Sequence, residues 1–243
     1  MLTKFQAFEP HLLGVVGKPK NLFIPEATQR YPLGARFKYG QRVFHYAFAG
    51  GVELGIAALV RSTDSPAEAN VTVGTIAAIG ATEVPNITTT AAEANLDGGI
   101  MIVNDVDGQG QTCDIIKSAA NATTATSTDV WLRDPLTIAL AITSQVELYS
   151  SPFYDLDVVT GVNDIIAGLP NMVVALNNYF WLQTWGPCSC IAGGTLVAGE
   201  PIIPHTDGSV LPATAVTEQM TIGRALTGGT SGEYNGIYLM IHP

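Results

Sequence analysis

Charged side chains are scarce in this chain: they make up 13% of its 243 residues, about half of the roughly 25% usual for a soluble domain. A surface this poor in charge is expected to be covered in part by other subunits. Cysteine is scarce too. Cys113, Cys188 and Cys190 are the only three, too few for a disulfide framework in a chain this long. On one strand, Cys188 and Cys190 share a face with no third and fourth ligand at zinc-like spacing, so they read as small buried apolar side chains. The four histidines, His11, His45, His205 and His242, stand alone and form no metal-binding spacing. A Gly-x-Ser-x-Gly elbow, a P-loop and a Gly-x-Gly-x-x-Gly turn are absent, which removes the recognisable signatures of hydrolases and nucleotide enzymes. No run approaches the ~18 apolar residues of a membrane span, so no membrane partner is expected. Met1 to Gln6 lacks the apolar core and cleavage site of a signal peptide. The expected setting is reducing cytoplasm, or an assembly carried out of it.

Two acidic groupings are weak candidates for chemistry. Asn104-Asp105-Val106-Asp107-Gly108 resembles a calcium loop, but counting back from Gly108 puts Val103 at the first ligand position and Asp114 where the bidentate Glu belongs, so a hairpin turn is the better reading. Asp155 and Asp157 alternate onto one strand face beside apolar neighbours and read as a solvated strand edge. Asn70, Asn86 and Asn121 head Asn-x-Thr sequons, which carry meaning only on a secretory route. No cofactor or metal is expected.

What the chain does contain is β-branched and small residues punctuated by Gly, Pro and Asp. Its densest aromatic stretch, Asn178 to Pro187, reads as a strand with Tyr179, Trp181, Gln183 and Trp185 on one face and Phe180, Leu182 and Thr184 on the other. Both faces are sticky, so the strand is expected to be central, joining core to subunit contact through Tyr179, Trp181 and Trp185. Gly186-Pro187 is expected to stop it, with Ser189 to Val197 returning as its partner. Arg42 to Ala49 alternates as a strand entering from a tight Tyr39-Gly40 turn. Gly55–Arg61, Asn70–Ile79 and Met172–Leu176 read as further strands; Asp107-Gly108 and Asp207-Gly208 read as hairpin turns. Thr137 to Thr143 is ambiguous between strand and helix. About a dozen short strands and almost no helix predict an all-β sandwich or barrel-like body over residues 35–243, with room for subdivision near 85 and 165. There is no fixed-period repeat.

Residues 1–34 read as an extended arm broken by Pro10, Pro19, Pro25 and Pro32. The arm is basic in a chain that is otherwise acidic. Residues 1–61 hold eight of the eleven Lys and Arg against three acidic groups, a balance of +5, while the remainder carries −15. A basic leading segment is expected to dock on an acidic protein surface or to fold back on the body. Nucleic acid is disfavoured, because no Lys/Arg cluster is interleaved with aromatics.

The run Pro32 to Tyr46, the aromatic strand Tyr179 to Pro187, and the ending Ile222 to Leu226 with its Gly-rich loop and last apolar strand resemble head decoration and other auxiliary structural proteins of tailed bacteriophages. The likeness is one of pattern, spread over most of residues 30–243. It implies a non-enzymatic cement protein, commonly a homotrimer, on the virion exterior where major capsid protein subunits meet, assembled in the host cytoplasm. Small decoration proteins are often about half this length or less, which leaves room for a second subdomain or a head fibre. On that reading the capsid contacts are Phe5, Phe8, Lys18, Lys20, Leu22, Phe23, Arg30, Arg36, Lys38 and Arg42. Rival expectations are a receptor- or glycan-binding fibre module using exposed Trp131, Trp181 and Trp185, a tail or baseplate component, and a hydrolase with a divergent site.

Overall fold

Sixteen strands and no helix form the described residues of this computed structural model, which are 19, 21–62, 67–89, 96–120, 126–161, 163–213 and 220–243. The body is all-β, as the turn-punctuated sequence predicts, and its strands fall into two curled sheets. The chain divides into two compact units. One joins Met1–Asp64 to Phe153–Pro243, and the other is Ser65–Pro152. The division therefore lies near 65 and 152, whereas the sequence suggested 85, which falls inside a strand of the second unit, and 165.

The first unit is built on β12 (Tyr179–Ile191), the longest strand at 13 residues. Its first half pairs on one edge with β2 (Arg42–Phe48) and on the other with β11 (Ile166–Pro170). Its second half, Trp185 to Ile191, pairs with β16 (Tyr234–Met240). Beyond β16 lie β15 (Gly223–Ala225), β13 (Pro201–Pro204) and β14 (Val210–Pro212); beyond β11 lie β3 (Val60–Arg61) and β10 (Asp157–Val158); β1 (Arg36–Tyr39) pairs with β2. Gly186-Pro187 does not end the strand as the sequence reading expected. Gly186 adopts φ +93°, and a Cβ there would sit 2.3 Å from the Gln41 carbonyl oxygen, so glycine lets β12 bend past the β1–β2 turn, where its pairing with β2 ends and its pairing with β16 runs on.

The two faces of β12 enter different cores. Phe180 and Leu182 pack with Leu54, Leu156 and Val174, while Trp181 packs with Leu22, Phe37, Phe44 and Tyr46. A third cluster, around Leu59, Cys190, Ile202 and Ile237, fills the other end of the sheet.

The second unit is one six-stranded sheet in the order β4 (Glu68–Thr72), β9 (Gln145–Tyr149), β6 (Ile100–Asp105), β7 (Thr112–Ala120), β8 (Ser127–Leu132) and β5 (Glu83–Thr88). A bridge between Val73 and Ile87 links the two edge strands, so the sheet curls toward closure around Met101, Ile115, Leu132 and Leu148.

Several apolar runs that read as strands are instead bridging loops. Six loops share one construction: a buried or central bridge residue followed by a tight turn. They join in three antiparallel pairs through the bridges Leu54↔Val174, Ala77↔Leu140 and Leu196↔Gly229. In each pair the two bridge residues exchange both backbone hydrogen bonds, at 2.8–3.1 Å. Three residues after the bridge, Ala57, Gly80, Asn177, Gly199 and Gly232 all have positive φ, the geometry of a turn that reverses direction in two residues. Thr137 to Thr143, ambiguous in sequence, is one of these loops. The repeat escapes a periodicity search because the loops recur at unequal intervals and only their backbone geometry is shared.

Candidate interaction surfaces

Residues 21–34 fold back on the body, one of the two fates expected of the leading segment. The backbones of Glu26 and Tyr179 exchange hydrogen bonds of 2.8 Å, which ties the segment to the start of β12. Leu22 is buried, and Tyr31 lies over both Tyr46 and Trp181 with ring centroids 5.2 Å apart in each case. Trp181 is thereby reduced to 2% exposure. Its face of β12 is covered by the chain's own leading segment, and it stands in a core. Tyr179 stacks on Tyr46, and half-buried Trp185 meets Tyr238 edge-on at 6.0 Å.

The basic residues are distributed over the two faces of the first hairpin. Arg42 lies with Phe37 and Tyr39 on the aromatic face, its guanidinium 5.4–5.7 Å from the rings of Phe23, Tyr39 and Phe44. Arg36 and Lys38 alternate onto the opposite face, where Arg36 pairs in register with His45. Arg30 is ion-paired with Glu26. Exposed Phe23 makes an edge contact with Phe44 at 6.1 Å, so Phe23, Tyr39 and Arg42 form one exposed cationic-aromatic patch. Phe5, Phe8, Lys18 and Lys20 lie outside the described residues.

A second kind of surface was not legible in the sequence. The three bridged loop pairs carry ten of the nineteen exposed large apolar residues among those described, so the exposed apolar area is concentrated rather than scattered. The pair joined at Ala77↔Leu140 carries Ile76, Ile79, Ile138 and Ile142, with Ile79 69% exposed; the pair joined at Leu54↔Val174 carries Val52, Ile56, Val173 and Leu176. In these two pairs the bridge residue turns inward, while aliphatic side chains one or two positions away stay exposed. No charged residue interrupts 73–82 or 136–144.

Groups capable of chemistry come together in three places. His205, Asp207 and Ser209 meet in the β13–β14 turn: the Asp207 carboxylate accepts from the Ser209 hydroxyl at 2.5 Å and backbone N–H at 3.0 Å, and lies 2.9 Å from His205 Nδ1. A Ser–His–Asp relay needs the imidazole between the other two, one ring nitrogen for each. Here the serine bonds the carboxylate directly and is buried, so the trio locks a hairpin. The hydrogen bonds from Ser209 are the main reason that the Asp207 pKa is held down to about 2.

In the second place, Thr184 Oγ1 donates to the His242 carbonyl at 2.8 Å and accepts from His45 Nδ1–H at 3.0 Å. His45 stacks on Phe153 at 4.8 Å, and burial, with His242 and Arg36 nearby, lowers its pKa to about 4. The third is Cys188 and Cys190, whose thiols are raised by burial, Cys188 to about 12, so neither is an activated nucleophile. Asp155 and Asp157 do not share a strand face: Asp155 precedes β10 with φ +56°, and Asp157 pairs with Arg61 at 3.5 Å. Asp105 and Asp107 sit in the hairpin after β6, where Asp105 accepts from the Val106 N–H and the Asp107 carbonyl accepts from Ser144. Among the described residues no three His, Cys, Asp or Glu are grouped so as to hold a metal ion.

No family model, curated protein or solved structure matches this chain.

Proposed function

We propose that this chain is a non-enzymatic structural protein of a tailed-phage virion, a trimer that binds the outer surface of an icosahedral capsid and stabilises joints between major capsid protein subunits. The observation that carries the proposal is the concentration of exposed aliphatic side chains on bridged loop pairs, above all the uncharged pair 73–82 and 136–144, because exposed apolar area favours burial against another protein. The cationic-aromatic patch of Phe23, Tyr39 and Arg42 supplies a second contact suited to an acidic capsid face. Exposed ion pairs contribute only about 0–1 kcal/mol each. The aliphatic and aromatic anchors therefore carry most of the affinity, and the cations set orientation and encounter rate. Repetition over symmetry-related copies lets modest contacts resist the outward pressure of packaged DNA.

A symmetry-averaged image of the native particle tests the proposal directly: density for this chain at capsomer joints supports it, and a location on the tail overturns it. Added back to shells stripped of it, the protein should raise the temperature at which they release DNA. Truncation should end at residue 18, because residues 21–34 build the core under Trp181. Loss of residues 2–18 is expected to leave a folded protein with reduced shell occupancy, and unchanged occupancy would remove the leading segment from the docking surface. Rings or tubes in light scattering and negative stain, in place of closed trimers, would favour a tail component.

A further inference from the structure

A cavity of about 220 Å³ lies between the leading segment and β12, walled by Ile24, Phe180 and Trp181 and lined with polar groups from Asn21, Glu26, Arg30, Tyr46 and Tyr179. We infer that it is a binding site for a single neutral sugar residue. Three observations carry this. The Glu26 carboxylate is held between Asn21 Nδ2 on one oxygen and Arg30 Nε on the other, which fixes its plane and leaves further lone pairs on both oxygens. The Tyr46 hydroxyl is buried and accepts the Arg30 N–H at 3.1 Å, and among the described residues nothing accepts its own proton or the terminal NH₂ groups of Arg30. Aromatic rings of Tyr31, Tyr46 and Trp181 supply flat apolar walls beside these donors and acceptors.

Charge and size select the class of ligand. The carboxylate repels a phosphate or carboxylate, the guanidinium repels a metal cation or amine, and the pair together is neutral. A wholly apolar ligand would strand the buried Tyr46 hydroxyl and the Glu26 carboxylate, whose side chain is only 14% exposed, at a cost that disfavours it. A pyranose ring matches what remains: its hydroxyls both donate to Glu26 and accept from Tyr46 and Arg30, while its C–H face packs on an aromatic ring. The volume lies below the roughly 300–1,000 Å³ of drug-sized sites, so one ring enters, free or at the end of a glycan. This site does not depend on the capsid reading. It also differs from a tryptophan-lined groove, since Trp181 is 2% exposed and forms only a back wall.

The test is ligand-observed saturation-transfer NMR on the intact protein with methyl hexosides and N-acetylhexosaminides, paired with an array of immobilised oligosaccharides. Saturable binding of at least one neutral sugar is expected, weakened about tenfold by Tyr46→Phe, which deletes only the hydroxyl whose proton has no acceptor, and at least as strongly by Glu26→Gln, with Ser189→Ala unchanged. Melting curves establish that each variant is folded. Binding of the free hexoside together with the array supports the site for either source, and binding confined to glycan termini narrows it to glycans. No saturable binding, binding untouched by both variants, or displacement of the sugar by inorganic phosphate or calcium would overturn the assignment. Shell occupancy of Tyr46→Phe should equal wild type, which keeps failure here distinct from failure of the capsid proposal.

Discussion

His45 shows how one buried side chain makes stability depend on pH. In the unfolded chain it takes up a proton near pH 6.5, whereas in the fold it resists until about pH 4. Its contribution is therefore fully present above pH 6.5 and is lost as pH falls toward 4, by up to about 3 kcal/mol. His242, lowered by burial, acts in the same sense. Chemical denaturation between pH 8 and 4 should show this decline, and His45→Gln should flatten it; an equal decline in the variant would remove His45 as the cause. Gln183 is a second residue whose role only the fold reveals. Fully buried, it donates to the carbonyls of Trp185 and Pro187 at 3.1 and 3.0 Å and accepts from Asn171 at 3.0 Å, so it spans the bend in β12. Gln183→Leu would leave those carbonyls without their donor and should cost about 1–3 kcal/mol in an equilibrium unfolding experiment.

At the scale of the element, β12 is one strand with three partners, β2, β11 and β16, and Gly186 lies where its pairing with β2 has ended and its pairing with β16 runs on. Because a Cβ there meets the Gln41 backbone, which has no flexible end to yield, Gly186→Ala should destabilise the first unit by more than the about 1 kcal/mol of an ordinary strand glycine and leave the second unit folded. Two separate unfolding transitions by hydrogen exchange, with only the first shifted, are the expected result. The six bridging loops make a similar point. Their turns are closed by the same hydrogen bond four residues after the bridge in one loop after another, as in Ala81 N to Ala78 O and Ser144 N to Ala141 O at 3.1 Å. The side chains of Ser144, Glu200 and Glu233 each accept a backbone N–H of their own turn. Apolar residues in these loops mimic strands in the sequence, but in the first two pairs it is the bridge residue that is buried while aliphatic side chains one or two positions away stay exposed.

For the whole molecule, the decisive property is exposed surface without charge. Ile79→Ser combined with Ile142→Ser removes aliphatic area from the outside of the second unit, so unfolding free energy should change by less than about 1 kcal/mol. The same change should lower shell occupancy or self-association, measured by cosedimentation and light scattering. A large loss of stability would mean that those side chains serve the fold. Salt should weaken the contact made by Arg42 more than that made by the isoleucines, because ions screen charge and leave apolar burial intact.

The sequence by itself determined the all-β class, the tight turns at Gly40, Gly108 and Gly208, where positive φ is in fact used, and the two unlike faces of the aromatic strand. These are local properties, fixed by backbone sterics and by alternation over a few residues. Tertiary structure alone decided that β12 continues through Gly186-Pro187, that Leu22 and Tyr31 cover Trp181, and that His205, Asp207 and Ser209 lock a turn. It also decided that distant loops pair to display their isoleucines, because a bridge such as Ala77↔Leu140 joins residues far apart in the chain and leaves no periodic trace in either partner. Alternation states which side chains share a face; only long-range pairing decides which face meets protein and which meets solvent.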